Sequence, residues 1–131
     1  MAGSKTDYLE AEVLKWETGQ ANALGAAPTP YLALYSTAPT DAAGGTEITT
    51  NGQTRISSAG KWAAPSGGAV STNADVLFPT VTGGSITVVG VACFDAASAG
   101  NMLWYYDVTS KTIVVGDQAK ITAGTITITE A

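Results

Sequence analysis

Eleven acidic residues, six basic ones and no histidine in a chain of 131 residues narrow the reactions open to it. Without an imidazole there is no Ser-His-Asp or Cys-His pair, and almost every zinc site goes with it. Two carboxylates are still enough for glycoside hydrolysis, so acid pairs carry the question of catalysis. Asp41 and Glu47 flank the first Gly-rich turn, Asp95 and Asp117 begin or occupy others, and Asp75 and Asp107 sit at strand ends. An Asp in a turn ordinarily replaces a backbone hydrogen bond with its own side chain, so these acids are read as turn chemistry. A calcium loop needs denser oxygen ligands than DAASAGN at 95–101 supplies, and neither metal nor cofactor is expected. The lone cysteine, Cys93, lies among apolar neighbours and reads as a small buried hydrophobe that cannot form an internal disulfide. Gly44-Gly45 is followed by Thr-Glu and no Gly-Lys-Ser/Thr occurs, which excludes a phosphate loop. The expectation is a protein with no catalytic residues.

Residues suited to adhesion are easier to find. Trp16, Trp62, Trp104, Tyr105 and Tyr106 could stack sugars or bases. Trp104 and Tyr106 alternate with Leu103 and Tyr105, however, as in a strand that covers both its faces, so core and subunit contact is the plainer reading. Trp62 and Tyr105 are the candidates for touching a glycan. Arg55, the one arginine, stands near Glu47 and suits an ion pair within the fold or a bidentate contact between subunits. Leu9, Val13 and Trp16 form an apolar helical stripe that either docks on a partner or covers its own domain. The bases are scattered, so no nucleic-acid footprint is expected. No run approaches the roughly 18 apolar residues of a membrane span, and MAGSKTDYLE lacks the apolar middle of a signal peptide.

The elements that must position these groups are mostly short strands. Residues 31–35 alternate, with Leu32 and Leu34 on one face and Tyr31, Ala33 and Tyr35 on the other, and Pro39, Asp41 and Gly44-Gly45 then turn the chain. Ahead of them, 4–18 has the spacing of a helix, with Ser4 and Asp7 as a capping box and Gly19 as a stop, and 20–29 is an Ala/Gly/Pro linker. Strands are expected at 46–50, 53–57, 61–64, 69–73 and 76–78, with Asn51-Gly52 as a hairpin turn. Apolar residues on both parities of 85–95 predict a strand buried on two faces, and Gly90 within it predicts a bulge or a close approach. Residues 101–108 should carry Met102, Trp104 and Tyr106 on one face, and 111–115, 118–122 and 125–129 complete the set. The fold class is all-β: a jelly-roll-like β-sandwich at 30–131 preceded by the helix and linker at 1–29. Folding would remove roughly two-thirds of the unfolded surface from water.

Taken in order, LYSTAPTDAAGGTEI (34–48), NGQTRIS (51–57), STNADVLFP (71–79), GVACFDAASAGNMLWY (90–105), SKTIVVGDQAKITAG (110–124) and TITIT (125–129) resemble a family of small bacteriophage virion proteins commonly labelled phage tail fibre protein. The chain departs from that pattern at Gln53, where the family usually carries an aromatic residue. The resemblance implies a virion structural protein made in the cytoplasm of a bacterial host. With no internal repeat to build a shaft, the chain is expected to be a capsid decoration (cement) protein, pairing with itself as a homo-oligomer and with the major capsid or another virion protein. The alternative is a tail fibre or tail-tip accessory protein that binds host glycans.

Overall fold

A computed structural model describes residues 4–129. In chain order its elements are β1 (Ser4–Lys5), α1 (Asp7–Glu17), β2 (Tyr31–Thr37), β3 (Thr46–Glu47), β4 (Ile56–Ser57), β5 (Ala69–Ser71), β6 (Val76–Thr80), β7 (Ile86–Phe94), β8 (Met102–Ile113), β9 (Gln118–Ile121) and β10 (Thr127–Thr129). The apolar run at 85–95 becomes β7, the middle of a six-stranded antiparallel sheet in the order β1-β8-β7-β2-β3, with β4 also paired to β2. Two short antiparallel pairs, β6 with β9 and β5 with β10, complete the strands. The class is therefore all-β with one N-terminal helix. A jelly roll does not follow from this pairing, because the strands outside the main sheet form two separate pairs. No helix among the described residues is long and apolar enough to cross a membrane.

Alternation along β2 divides the packing in two. Leu32 and Leu34 join Val76, Phe78, Ile121 and Ile126 in the larger apolar cluster, on what we call the inner face. Ala33 and Tyr35 point the other way and meet Ala92, Phe94 and Met102 in a smaller cluster on the outer face. Central position explains why β7 is apolar on both parities. Its register also slips at Val88/Gly90, so Ile86 and Val88 share the inner face with Val91 and Cys93 although their parities differ. Gly90 sits at this slip, and a Cβ there would lie 2.6 Å from Cδ of Pro39, which shows the expected close approach. A second slip opposite Cys93/Phe94 corrects one expectation: Met102 faces outward while Trp104 and Tyr106 face inward, because Leu103 is the extra residue of a bulge.

Other expectations are corrected as well. The helix starts at Asp7, not near Ser4, because Ser4 and Lys5 pair with Tyr105 and Trp104 as an edge strand. Its N-cap is Thr6, whose Oγ1 accepts from the Leu9 amide at 3.4 Å and donates to the Met102 carbonyl at 2.6 Å. Asn51 and Gly52 do form a left-handed turn (φ 56° and 81°), but no hairpin. The strands on either side of it both pair with β2, Glu47 opposite Tyr35 and Ile56 opposite Leu32. The turn therefore tips an excursion from the sheet, pinned where the Thr82 amide donates to the Asn51 carbonyl at 3.0 Å. Residues 61–64 contribute only a bridge, Trp62 to Thr72, and the strands expected at 101–108 and 111–115 are one strand.

A polar cleft on the outer face

The outer face is not sealed. Tyr35, Phe94 and Met102 form the floor of a cleft of about 460 Å³ between the start of α1, the turn after β2 and the loop after β7. Each wall is held by its own sequence chemistry. After β2, Pro39 is buried against Gly90, the Gly44 amide donates to Thr40 Oγ1 at 2.9 Å, and Gly45 takes φ +96° where a side chain would strike Ala38 and Thr37 carbonyls. The Asp7 amide donates to the Asp41 carbonyl at 3.1 Å, joining helix start to turn. After β7, Asp95 caps its loop by accepting from the Asn101 amide at 2.8 Å and its side-chain amide at 3.1 Å.

Arg55 ties the walls together. Its Nε and Nη2 donate to the two oxygens of Glu47 at 3.0 and 2.9 Å, and its Nη1 donates to the carbonyls of Ala96 and Ala99 at 2.9 and 2.7 Å. The guanidinium also lies 3.6 Å from the centre of the Phe94 ring. One side chain thus spans β3, the end of β7 and the loop beyond it. The ion pair expected between Arg55 and Glu47 is present, made inside one chain in the bidentate geometry that only arginine offers.

Two phenols flank this clamp. Tyr105 Oη donates to Asp41 Oδ1, and that bond, with burial second, pushes the phenol up to about 12. Tyr35 is only 4% exposed, yet its hydroxyl has no hydrogen-bond partner among the described residues. Burial pushes it up to about 12, the negative charge of Glu47 adding to the effect and Arg55 opposing it. Asp41 and Glu47, the acid pair singled out in the sequence, both line the cleft. Glu47 has both oxygens committed to Arg55 and Asp41 has one committed to Tyr105, so the arrangement is built to hold and orient.

The remaining candidates scatter. Trp62 lies against the inner cluster, edge-on to Trp104 at 5.7 Å, with Nε1 donating to Ser58 Oγ at 3.1 Å. Trp62 and Tyr105 are therefore on opposite faces of the sheet and share no platform. Along α1, Leu9 and Val13 are half-buried and Trp16 is 63% exposed, while the residue the helix buries is Glu12, which accepts from Lys15 Nζ at 2.7 Å and from the Ala23 amide. Those two bonds hold the Glu12 carboxyl below its usual range. Cys93 is fully buried, and burial pushes its thiol up to about 12. Sequence reasoning missed Tyr35, Phe94 and Tyr8 as cleft residues; the placement of Tyr35 opposite Leu32 and Leu34 was the signal for the first.

Residues 4–129 match the model of a family described as Podophage GP4 fiber I protein gp80. None of the curated proteins matches the chain.

Proposed function

Because the chain belongs to this podophage fibre I family, and is thereby a phage fibre protein and a structural component of the virion, we propose that it works without catalysis, as a fibre module that assembles with copies of itself and with a neighbouring virion protein. The observation that carries the reading is the extent of the match, which takes in the helix, the whole main sheet and both short pairs. It also weighs against capsid decoration, the role expected from the sequence, and in favour of the tail-fibre alternative. Adhesion suits the chemistry: the chain holds eleven acids against six bases, and a complementary basic surface on the particle would steer assembly. Many copies on one particle would then add their separate affinities.

Gold-labelled antibody against the protein, applied to intact virions and viewed by electron microscopy, tests this reading. Label on tail appendages is the expected result, and label spread over capsid facets overturns it. Sedimentation of the purified protein tests self-assembly separately, since a monomer at the highest soluble concentration removes the homo-oligomer from the proposal.

A further inference from the structure

The outer-face cleft has the groups to take a ligand, and their chemistry narrows which one. Its volume, about 460 Å³, falls in the range of small-molecule sites, and polar groups converge over an aromatic floor. Tyr35 supplies the strongest pointer: the residue is 4% exposed, yet its hydroxyl, unpaired among the described residues, is open to the cleft and available to a ligand. Asp41 Oδ2 and the Asp7 carboxylate also lack partners among the described residues, although both residues line the cleft. We propose that this cleft binds one uncharged sugar residue, oriented by the Tyr35 hydroxyl and by the carboxylates of Asp41 and Asp7.

Charge and donor balance select that class. Three carboxylates, of Asp7, Asp41 and Glu47, line the cleft with one guanidinium that already makes four bonds within the protein, so the lining is net negative and an acidic or phosphorylated sugar is repelled. A lysine or arginine from a neighbouring protein would satisfy the carboxylates but, having no acceptor, would leave the Tyr35 proton unbonded. A sugar hydroxyl both donates and accepts, so it can give its hydrogen to Asp41 or Asp7 while a neighbouring oxygen takes the one from Tyr35. No group of acidic residues among those described is placed to hold a metal ion instead. The inference rests on the fibre reading only for the source of the sugar, a glycan on the host surface.

The test is saturation-transfer NMR and titration of the intact protein with methyl glycosides of uncharged hexoses and N-acetylhexosamines, beside sialic acid, a hexose 6-phosphate and an arginine-containing peptide amide. At least one uncharged glycoside should bind, and Tyr35→Phe should weaken it by roughly three- to tenfold, the loss of one hydrogen bond. Asp7→Asn, at an exposed position, should weaken it as well with folding intact, and Tyr106→Phe, on the opposite face, should leave it unchanged. The proposal is overturned by an absence of uncharged glycosides among the binders, by preference for the acidic sugars or the arginine peptide, or by binding that neither cleft variant weakens. Gold labelling keeps the two readings apart. A protein found on the tail that binds no sugar removes the cleft alone, and one that binds sugar but sits elsewhere removes the fibre.

Discussion

On the inner face of the main sheet, Leu32, Leu34, Val91 and Cys93 meet Phe78, Val76 and Ile126 in one apolar cluster. On the outer face, Ala33, Tyr35, Ala92 and Phe94 form a patch too small to fold anything alone, and a guanidinium, two phenols and a capped helix complete it. One β7 strand serves both faces. The contrast separates two tasks. Apolar area that leaves water gives the inner face its stability without directional demands. Hydrogen bonds and an ion pair fix the outer face in position while leaving room for the cleft. Breaking each side in turn should show effects of different size and kind.

The largest loss is expected on the inner face. Phe78 is 1% exposed and shares its cluster with residues of the main sheet and of the β6–β9 pair, so Phe78→Ala should cost about 3–5 kcal/mol in urea unfolding. A loss under about 1 kcal/mol would mean that the inner face does not dominate stability.

Next comes the clamp. Arg55 exposes 8% of its side chain and Glu47 20%, so removing the guanidinium strands a carboxylate that water reaches only in part. Arg55→Ala should cost about 2–3 kcal/mol, below the figure for a fully buried pair, and should open the loop at 96–100 to proteolysis. Arg55→Lys should recover little, because an ammonium cannot reach Glu47 and two carbonyls at once. Full rescue by lysine would show that charge alone holds the outer face. Gly90→Ala tests the same side sterically: its new methyl would press on Pro39, at a cost of about 1–2 kcal/mol seen as a lower urea midpoint.

How far the sequence exposed this contrast depends on which physical signal was local. Alternation at 31–35 separated Leu32 and Leu34 from Tyr35 correctly, and two-sided apolarity placed β7 at the centre, because both are properties of a single strand. Bulges are not local. Nothing near Met102 announces that Leu103 will be the residue left over when β8 pairs with β7, so parity sent Met102 to the wrong face. Asn51-Gly52 had the right turn chemistry, and only the competition of both its flanks for the edge of β2 prevented a hairpin. Ser4 lost the N-cap to Thr6 because strand pairing with Tyr105 claimed it. The cleft was the least legible feature, since its walls come from three segments far apart in the chain. Even so, Arg55, Glu47, Asp41 and Tyr105 had each been marked from residue type. Gln53, where the chain departs from the family pattern, is 3% exposed; its Nε2 donates to the Pro79 carbonyl at 3.0 Å and its Oε1 has no partner among the described residues.

Alkaline titration should sharpen the comparison. Tyr35 and Tyr105 are held up to about 12 against an ordinary 10.0, and Cys93 to about 12 against 9.0. Between those values the unfolded chain has released protons that the folded one still binds, so stability is full below about pH 9 and falls as pH rises to 12. Burial is the leading cause for Cys93 and Tyr35, whereas the Asp41 bond leads for Tyr105. Asp41→Asn should therefore lower the ultraviolet titration midpoint of one tyrosine and leave the Cys93 thiol as slow towards disulfide reagents as before. A thiol that reacted rapidly at pH 8 in the native protein would contradict its burial on the inner face.

The smallest effect belongs to the helix stripe, and it decides whether α1 is part of the outer face or only attached to it. Leu14 and Trp16 are 60% and 63% exposed, and the helix is fastened through its first turn, by Thr6 to Met102 and by β1 to β8. Removing an exposed side chain away from these ties takes little apolar area out of the fold, so Trp16→Ala should shift unfolding by no more than about 0.5 kcal/mol. Thr6→Ala, at the other end of the helix, removes the cap and two bonds to β8 and should cost about 1–2 kcal/mol. If the order came out reversed, the apolar stripe and not the polar cap would be what seats the helix, and the outer face would owe its stability to the same force as the inner one.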